Sequence, residues 1–397
     1  MSERNVEFTA EDDEIDTQLK LQDFSQAVLW GTDWTVETIL AQLSRGNIEL
    51  NPRFQRRDAW SRKAKSRFIE SVILGLPVPQ VVLAESREQR GRYIILDGKQ
   101  RLLSLMQFAG FAEGPTNNFG LSGLDVRTDL ARKRFSNLES DLTLRADFDA
   151  FLTHTIRTTV IRNWPSLAFL HVVFQRLNTG SLKLSPQELR QAIVPGPFTD
   201  AIDDATVDAP ETWDLLGRTE PDPRMRDVEL VVRAVSFRLR LTSYTGRMKE
   251  FLDRTCQYFN ANWGAEEGVV TAAINDFKEG VSALQQILKS ELARKRDSSL
   301  FNRSIFDALI YYAMDAEVRG LMLAKPEAVV KAYSETLASE VFQVAVESDT
   351  AGIPHTADRL NIWGETLSRY LKQDIVVPVL QENAEGQQRF VVAAHGV

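Results

Sequence analysis

The stretch Tyr93-Ile94-Ile95-Leu96-Asp97-Gly98-Lys99-Gln100-Arg101-Leu102-Leu103 decides the reading of this chain. An apolar run reaches Asp97-Gly98, a sharp stop. A helical pattern then starts at about Lys99 and runs to Phe108, with Leu102, Leu103, Leu105 and Met106 inward. Strand, tight turn and helix N-terminus therefore follow one another within a few residues. Free backbone N–H groups and the positive helix end make such a junction a ready anion site. A tight turn with Asp97 as helix cap would account equally well for Asp and Gly. It would not account for Lys99 and Arg101, because cations in a first turn oppose the helix dipole. On the residues alone, a structural turn and a phosphate site both remain open.

Working outward, Val81-Val82-Leu83 reads as a strand, Arg87–Gly91 as a polar hairpin turn and Arg92–Leu96 as the return strand. Upstream, Ser61 can cap a helix running to about Leu74. Ala64, Phe68, Ile69, Val72 and Ile73 make its apolar stripe. Gly75 and Pro77-Val78-Pro79 end it. Charge is concentrated just before and inside this helix. Between Arg53 and Arg67 lie Arg53, Arg56, Arg57, Arg62, Lys63, Lys65 and Arg67, with Asp58 the only acid. Such a stretch, with Gln55 and the aromatic Phe54 and Trp60, suits phosphate or base contacts. It also suits a solvated loop with two core anchors.

After Trp164 the pattern is helical almost throughout. Leu167–Leu177 reads as a helix stopped by Asn178-Thr179-Gly180. Ser185-Pro186-Gln187-Glu188 is a capping box with Pro at the first helical position. Further helices are expected over Arg226–Leu239, Gly246–Phe259, Val269–Lys289, Arg303–Ala316, Pro326–Val346 and Thr356–Leu371, with loops near Pro195–Pro197 and Pro221–Pro223. Asp374–Leu380 suits a strand or a docked tail. Arg226, Asp227 and Glu229 read as a structural ion-pair network, and Trp213, Trp263 and Trp363 as core. The expected fold class is α+β. The expected domains are an acidic flexible leader over 1–20, a small α/β domain over 21–163 and a mostly α-helical domain over 164–397.

Composition bounds the function. The 397 residues are 43% hydrophobic and 26% charged, an ordinary globular balance. One Cys, Cys256, excludes a disulfide framework, and four scattered His make a multi-His metal site unexpected. The longest apolar runs fall far short of the roughly 18 residues of a membrane span. A soluble, cytoplasmic protein is expected. With a net charge of −8, nucleic-acid binding would need a local basic patch.

Asn51–Trp60, the helix with Ile69–Pro79, and Tyr93–Arg101 together resemble the DUF262 family, also called the GmrSD restriction endonuclease N-terminal domain, of the ParB/sulfiredoxin superfamily. The family pattern is Pro-x-(Phe/Tyr)-Gln-Arg-x-x-x-Trp, a helix ending Gly-(Ile/Leu)-Pro-(Ile/Val)-Pro, and a strand entering Asp-Gly-Gln-Gln-Arg. Asp97–Arg101 is a variant of the last element. Looser matches continue through Lys133–Leu138, Arg176–Gly180, Leu184–Arg190 and Arg224–Glu229. The resemblance implies a ParB/sulfiredoxin-like N-terminal fold and a nucleotide site at the Asp97–Arg101 loop. It implies Gln55, Arg56, Arg57, Gly98, Lys99, Arg101, Arg176 and Asn178 as phosphate-binding candidates. Asp97, Gln100 and Arg101 become catalytic candidates, with Asp97 also a Mg²⁺ ligand. It implies a nucleoside-triphosphate-hydrolysing sensor in antiphage defence, acting with a separate effector protein such as a nuclease. Other readings are a stand-alone DNA-binding nuclease or nickase using the same cleft, with DNA on the basic patch 53–67, and an adaptor or antitoxin-like protein with a vestigial site. Many long relatives carry a C-terminal HNH nuclease. Here His355 and His395 are isolated, so that module is not expected, and no P-loop motif is present.

Overall fold

The computed structural model describes residues 25–48, 60–87, 89–111, 117–166, 169–170, 172–173, 185–295, 300–382 and 388–392. The acidic leader lies outside them. The described residues fall into two compact units that meet in sequence between Ile193 and Val194.

The first unit is built on four strands: β1 (Val28–Thr35), β2 (Val81–Glu85), β3 (Tyr93–Asp97) and β4 (Thr155–Arg162). Their order in the sheet is β1-β4-β2-β3. β4 runs antiparallel to β1 and parallel to β2, with Val81 opposite Thr158. β2 and β3 form the expected antiparallel hairpin, Leu83 opposite Ile95. β4 was not anticipated, yet it is an inner strand. Its signal is a run of β-branched residues, Thr155, Ile156, Thr158, Thr159, Val160 and Ile161.

Alternation along the strands creates two faces. Val81, Leu83, Ile95, Ile156 and Val160 share one core with Ile39 and Leu40 of α1 (Val36–Ser44) and with Phe68, Ile69 and Val72 of α2 (Arg62–Ile73). Leu102 and Leu105 of α3 (Lys99–Ala109) join them. So do Leu138 of α4 (Phe135–Ser140) and Phe148 and Phe151 of α5 (Arg145–Thr153). The apolar stripe read on α2 thus packs against the sheet. Val82, Ala84, Leu96 and Ile161 face the other way, against Trp164, Phe169, Leu170 and Leu189. Leu189 lies on α6 (Pro186–Ile193), the capping-box helix. That helix packs on the sheet, so the first unit extends thirty residues past Asn163, where the helical domain was expected to begin.

The second unit is helical. Its helices are α7 (Pro197–Val207), α8 (Pro210–Leu215), α9 (Arg226–Arg240), α10 (Met248–Ala261), α11 (Trp263–Leu288), α12 (Arg303–Ala313), α13 (Ala316–Ala324), α14 (Pro326–Ala338), α15 (Glu340–Glu347) and α16 (Ile353–Leu371). A hairpin of β5 (Val379–Glu382) and β6 (Gln388–Val391) ends it. The single helix expected over Pro326–Val346 is two, because Ser339 caps α15 by accepting from Phe342 N. Likewise Asp315 caps α13, so the helix from Arg303 ends at Ala313. The loop expected near Pro195–Pro197 is present but ends at Gly196, since Pro197 is the first residue of α7. The ion-pair network read at Arg226–Glu229 is real, with Arg226 half-buried and Glu229 buried. Arg226 holds Asp222 at 2.9 Å, and Glu229 holds Arg303 at 2.6 Å. Arg233 donates from Nε to Asp307 at 3.1 Å.

Candidate functional site

The junction of β3 and α3 is a turn only glycine fits well. Gly98 has φ +98°, and a Cβ there would stand 2.9 Å from Val81 Cγ2. No side chain caps α3. Asp97 was a candidate cap, but its carboxylate goes elsewhere. Asp97 Oδ2 accepts from Arg101 Nη2 at 2.7 Å, and the same Nη2 donates to the Gln80 carbonyl at 2.8 Å. Arg101 is 6% exposed, and its Nε is buried with no hydrogen-bond partner.

Lys99 is also turned inward. Its Nζ donates to Glu188 Oε1 at 2.8 Å, and both side chains are 4% exposed. Glu188 serves twice. Its Oε2 accepts from Ser185 N at 2.7 Å while its own N donates to Ser185 Oγ at 3.0 Å, completing the capping box of α6. The charge anomaly in the first turn of α3 therefore has an internal explanation. Two carboxylates of the same unit, Asp97 and Glu188, meet the two cations that suggested a ligand.

Around this pair α6 presents buried polar groups. Gln187 accepts from Arg190, and both are buried. One turn beyond Glu188, Gln191 is 1% exposed and neither amide atom has a hydrogen-bond partner. An orphaned amide in a dry site is costly unless something fills it. Gln100 is half-buried, and its carbonyl accepts from Ser104 Oγ at 2.6 Å. Among the described residues no group of three or more His, Cys, Asp or Glu could hold a metal ion.

Residues 36–195 match the GmrSD restriction endonuclease N-terminal domain, and the match ends two residues past the first unit. This region belongs to the DUF262 family. No curated protein and no solved structure matches the chain. Its family ties the chain to restriction-like, defence-related proteins. No helix among the described residues is long and apolar enough to cross a membrane.

Within the GmrSD domain the first family element, Asn51–Ala59, lies outside the described residues. So do the candidates Gln55, Arg56 and Arg57 on it, and Arg176 and Asn178 further on. The described end of the basic stretch is spent on α3 and the loop that follows it. Arg62 donates to the Gly120 carbonyl from Nε at 2.9 Å and from Nη2 at 2.6 Å. Buried Lys65 donates to Gln107 Oε1 at 2.8 Å, and Arg67 pairs with Asp125 at 2.5 Å. These cations read as ligand-facing in sequence, and here they anchor chain.

Glu70, which went unremarked in the sequence, anchors the same loop. Its carboxylate accepts from the backbone N–H of Asp125 at 3.0 Å, of Val126 at 2.8 Å and of Arg127 at 2.6 Å. Burial alone would raise its pKa, but the three N–H groups outweigh burial and hold it below the ordinary 4.5. The signal was faint: a lone acid on the buried side of a basic helix.

Proposed function

We propose that this chain is a nucleotide-binding sensor of a restriction-like defence system, acting with a separate effector protein such as a nuclease. One observation carries the reading. Inside a GmrSD N-terminal domain, α3 begins at a left-handed glycine and has no side-chain cap. First-turn amides and the helix dipole favour phosphate. In this reading the phosphates lie against the α3 amides beside Gly98 and Gln100. Arg101 reaches them through its unpartnered Nε, while Nη2 keeps the turn closed. Lys99, held by Glu188, lends its charge from behind the loop and makes no direct contact.

Mg²⁺ would enter with the nucleotide. Such ions take one or two carboxylates and the substrate's own phosphates more often than an all-protein cage. Asp97 is the carboxylate at the turn, so the donor chemistry fits. A bound ion would neutralise phosphate charge during hydrolysis, and Gln100 would hold water or an oxygen of the phosphate. DNA on the stretch 53–67 and a cytoplasmic setting belong to the same proposal.

The internal pairing of Lys99 and Arg101 favours a second reading, an adaptor whose loop is purely structural. A panel of nucleoside triphosphates, assayed for binding and turnover with and without DNA, decides between them. Saturable binding of a triphosphate, weakened by Gln100→Ala with unchanged melting temperature, supports the sensor. No binding to folded protein supports the adaptor. Mg²⁺-dependent DNA cutting by the purified chain, lost in Asp97→Asn, would replace both with a nickase.

A further inference from the structure

The sheet has a second end. β2 and β4 are parallel neighbours, and their carboxyl ends come together at Glu85 and Arg162. Ligands in α/β sheets favour the crevice outside such ends. Here there is a cavity of about 630 Å³, lined among others by Glu85, Arg87, Arg90, Arg162, Asn163 and Trp164. That volume lies in the range of small-molecule sites. It is separate from the Asp97 turn, which pairs with Val82 near the start of β2. At about 3.3 Å per residue the two ends stand roughly 10 Å apart along the strand.

Its lining is cationic. Among the described lining residues three guanidinium groups meet one carboxylate, in a chain whose net charge is −8. The carboxylate is already committed. Glu85 Oε2 lies 3.2 Å from Arg162 Nε, and Oε1 accepts from Gly91 N at 3.1 Å. Arg87 and Arg90 are exposed, and neither has a carboxylate within ion-pair distance among the described residues. Aromatic planes accompany the charges. Arg162 lies 4.4 Å over the ring of Trp30, which is 45% exposed, and Arg87 lies 5.3 Å over Trp164. Trp164 is fixed by donating from Nε1 to the Glu85 carbonyl at 2.7 Å.

We propose that this cleft binds a nucleotide unit, its phosphate on Arg87, Arg90 and Arg162 and its base beside Trp30. Guanidinium forks match phosphate oxygens, and an aromatic surface next to them accepts any base. The unit is either a free nucleotide or one residue of a single strand, which share this chemistry.

The test uses the full chain with a fluorescein-labelled ten-residue oligothymidine, and with thymidine monophosphate as competitor. The double variant Arg87→Glu/Arg90→Glu should weaken oligonucleotide binding about tenfold or more and lower its salt dependence. Arg145→Glu, an exposed charge reversal on α5, should change little. Displacement of the strand by millimolar monophosphate assigns the cleft to a free unit. Retained binding with the same loss in the double variant assigns it to a strand. Affinity unchanged in the double variant, an equal loss in Arg145→Glu, or no binding of either probe overturns the proposal. Trp30→Ala, which leaves the guanidinium groups in place, should weaken the strand while sparing inorganic phosphate.

Discussion

The two ends of the small sheet treat positive charge in opposite ways. At the Asp97 end, Lys99 and Arg101 are buried, and each has a carboxylate of its own. At the hairpin end, Arg87 and Arg90 are exposed and have none among the described residues. In sequence the first pair stood out, because cations at a helix start break a local rule. The second pair looked like ordinary turn polarity. A charge that is wrong locally can be right at long range, and Glu188 lies 89 residues from Lys99. Local anomaly therefore points to a partner, and only the fold says whether that partner is internal.

The sharpest way to break this contrast is Lys99→Ala. It would remove the Lys99 cation from the buried Glu188 carboxylate. Losing one partner of a buried pair costs about 3–5 kcal/mol. Chemical denaturation should show a loss of that size. Lys99→Met with Glu188→Gln should recover part of it, since the charge goes while the capping box keeps an acceptor. A loss below about 1 kcal/mol would mean that the pair is solvated, and would return Lys99 to the phosphate ligands.

Gly98→Ala comes next. The left-handed backbone costs about 1–3 kcal/mol for a side chain, and contact with Val81 adds overpacking of similar size. A loss of roughly 2–4 kcal/mol is expected, read by the same denaturation. An unchanged stability would show that the turn relaxes, and with it the first-turn geometry on which the phosphate reading rests.

Local signals explain which parts of this arrangement were readable. Ser61, the Arg87–Gly91 turn, Gly98 and the Ser185–Glu188 box each act within a few residues, and each stands where the sequence put it. The inner strand β4 carried its own β-branched run, but an isolated strand has no local punctuation as strong as a hairpin turn. Pairing to β2, with Val81 opposite Thr158 far along the chain, is what stabilises it. The site was legible in its backbone, meaning the strand, glycine and helix start. It was illegible in its charges, whose partners are Glu188, Gln107, Asp125 and the Gly120 carbonyl. No spacing rule links those positions.

Glu70 tests the loop that α2 holds. Its folded pKa is depressed, so its contribution is present above the ordinary value of 4.5. That contribution fades as pH falls through the lower, folded value. Wild-type stability should therefore drop on the acid side, and Glu70→Gln should flatten that limb. At neutral pH the variant should lose about 1–3 kcal/mol, because the amide cannot accept all three N–H groups. Parallel acid limbs in both proteins would remove Glu70 as the titrating anchor.

The smallest expected effect falls at the other end of the sheet. Arg87 stacks on Trp164 and donates one long bond, 3.3 Å, to the Pro165 carbonyl. Arg90 lies exposed on the turn. Neither closes a buried charge or fills a cavity, so Arg87→Ala/Arg90→Ala should change stability by no more than about 0.5 kcal/mol. The contrast with Lys99 is the point of the measurement. Equal charges at two ends of one sheet should differ several-fold in what their removal costs, because Lys99 is desolvated and paired, whereas Arg87 and Arg90 are solvated and have no carboxylate partner among the described residues. A double variant that melts many degrees lower would show these arginines to be structural, like Lys99. A double variant that melts with the wild type leaves their charge available to a ligand.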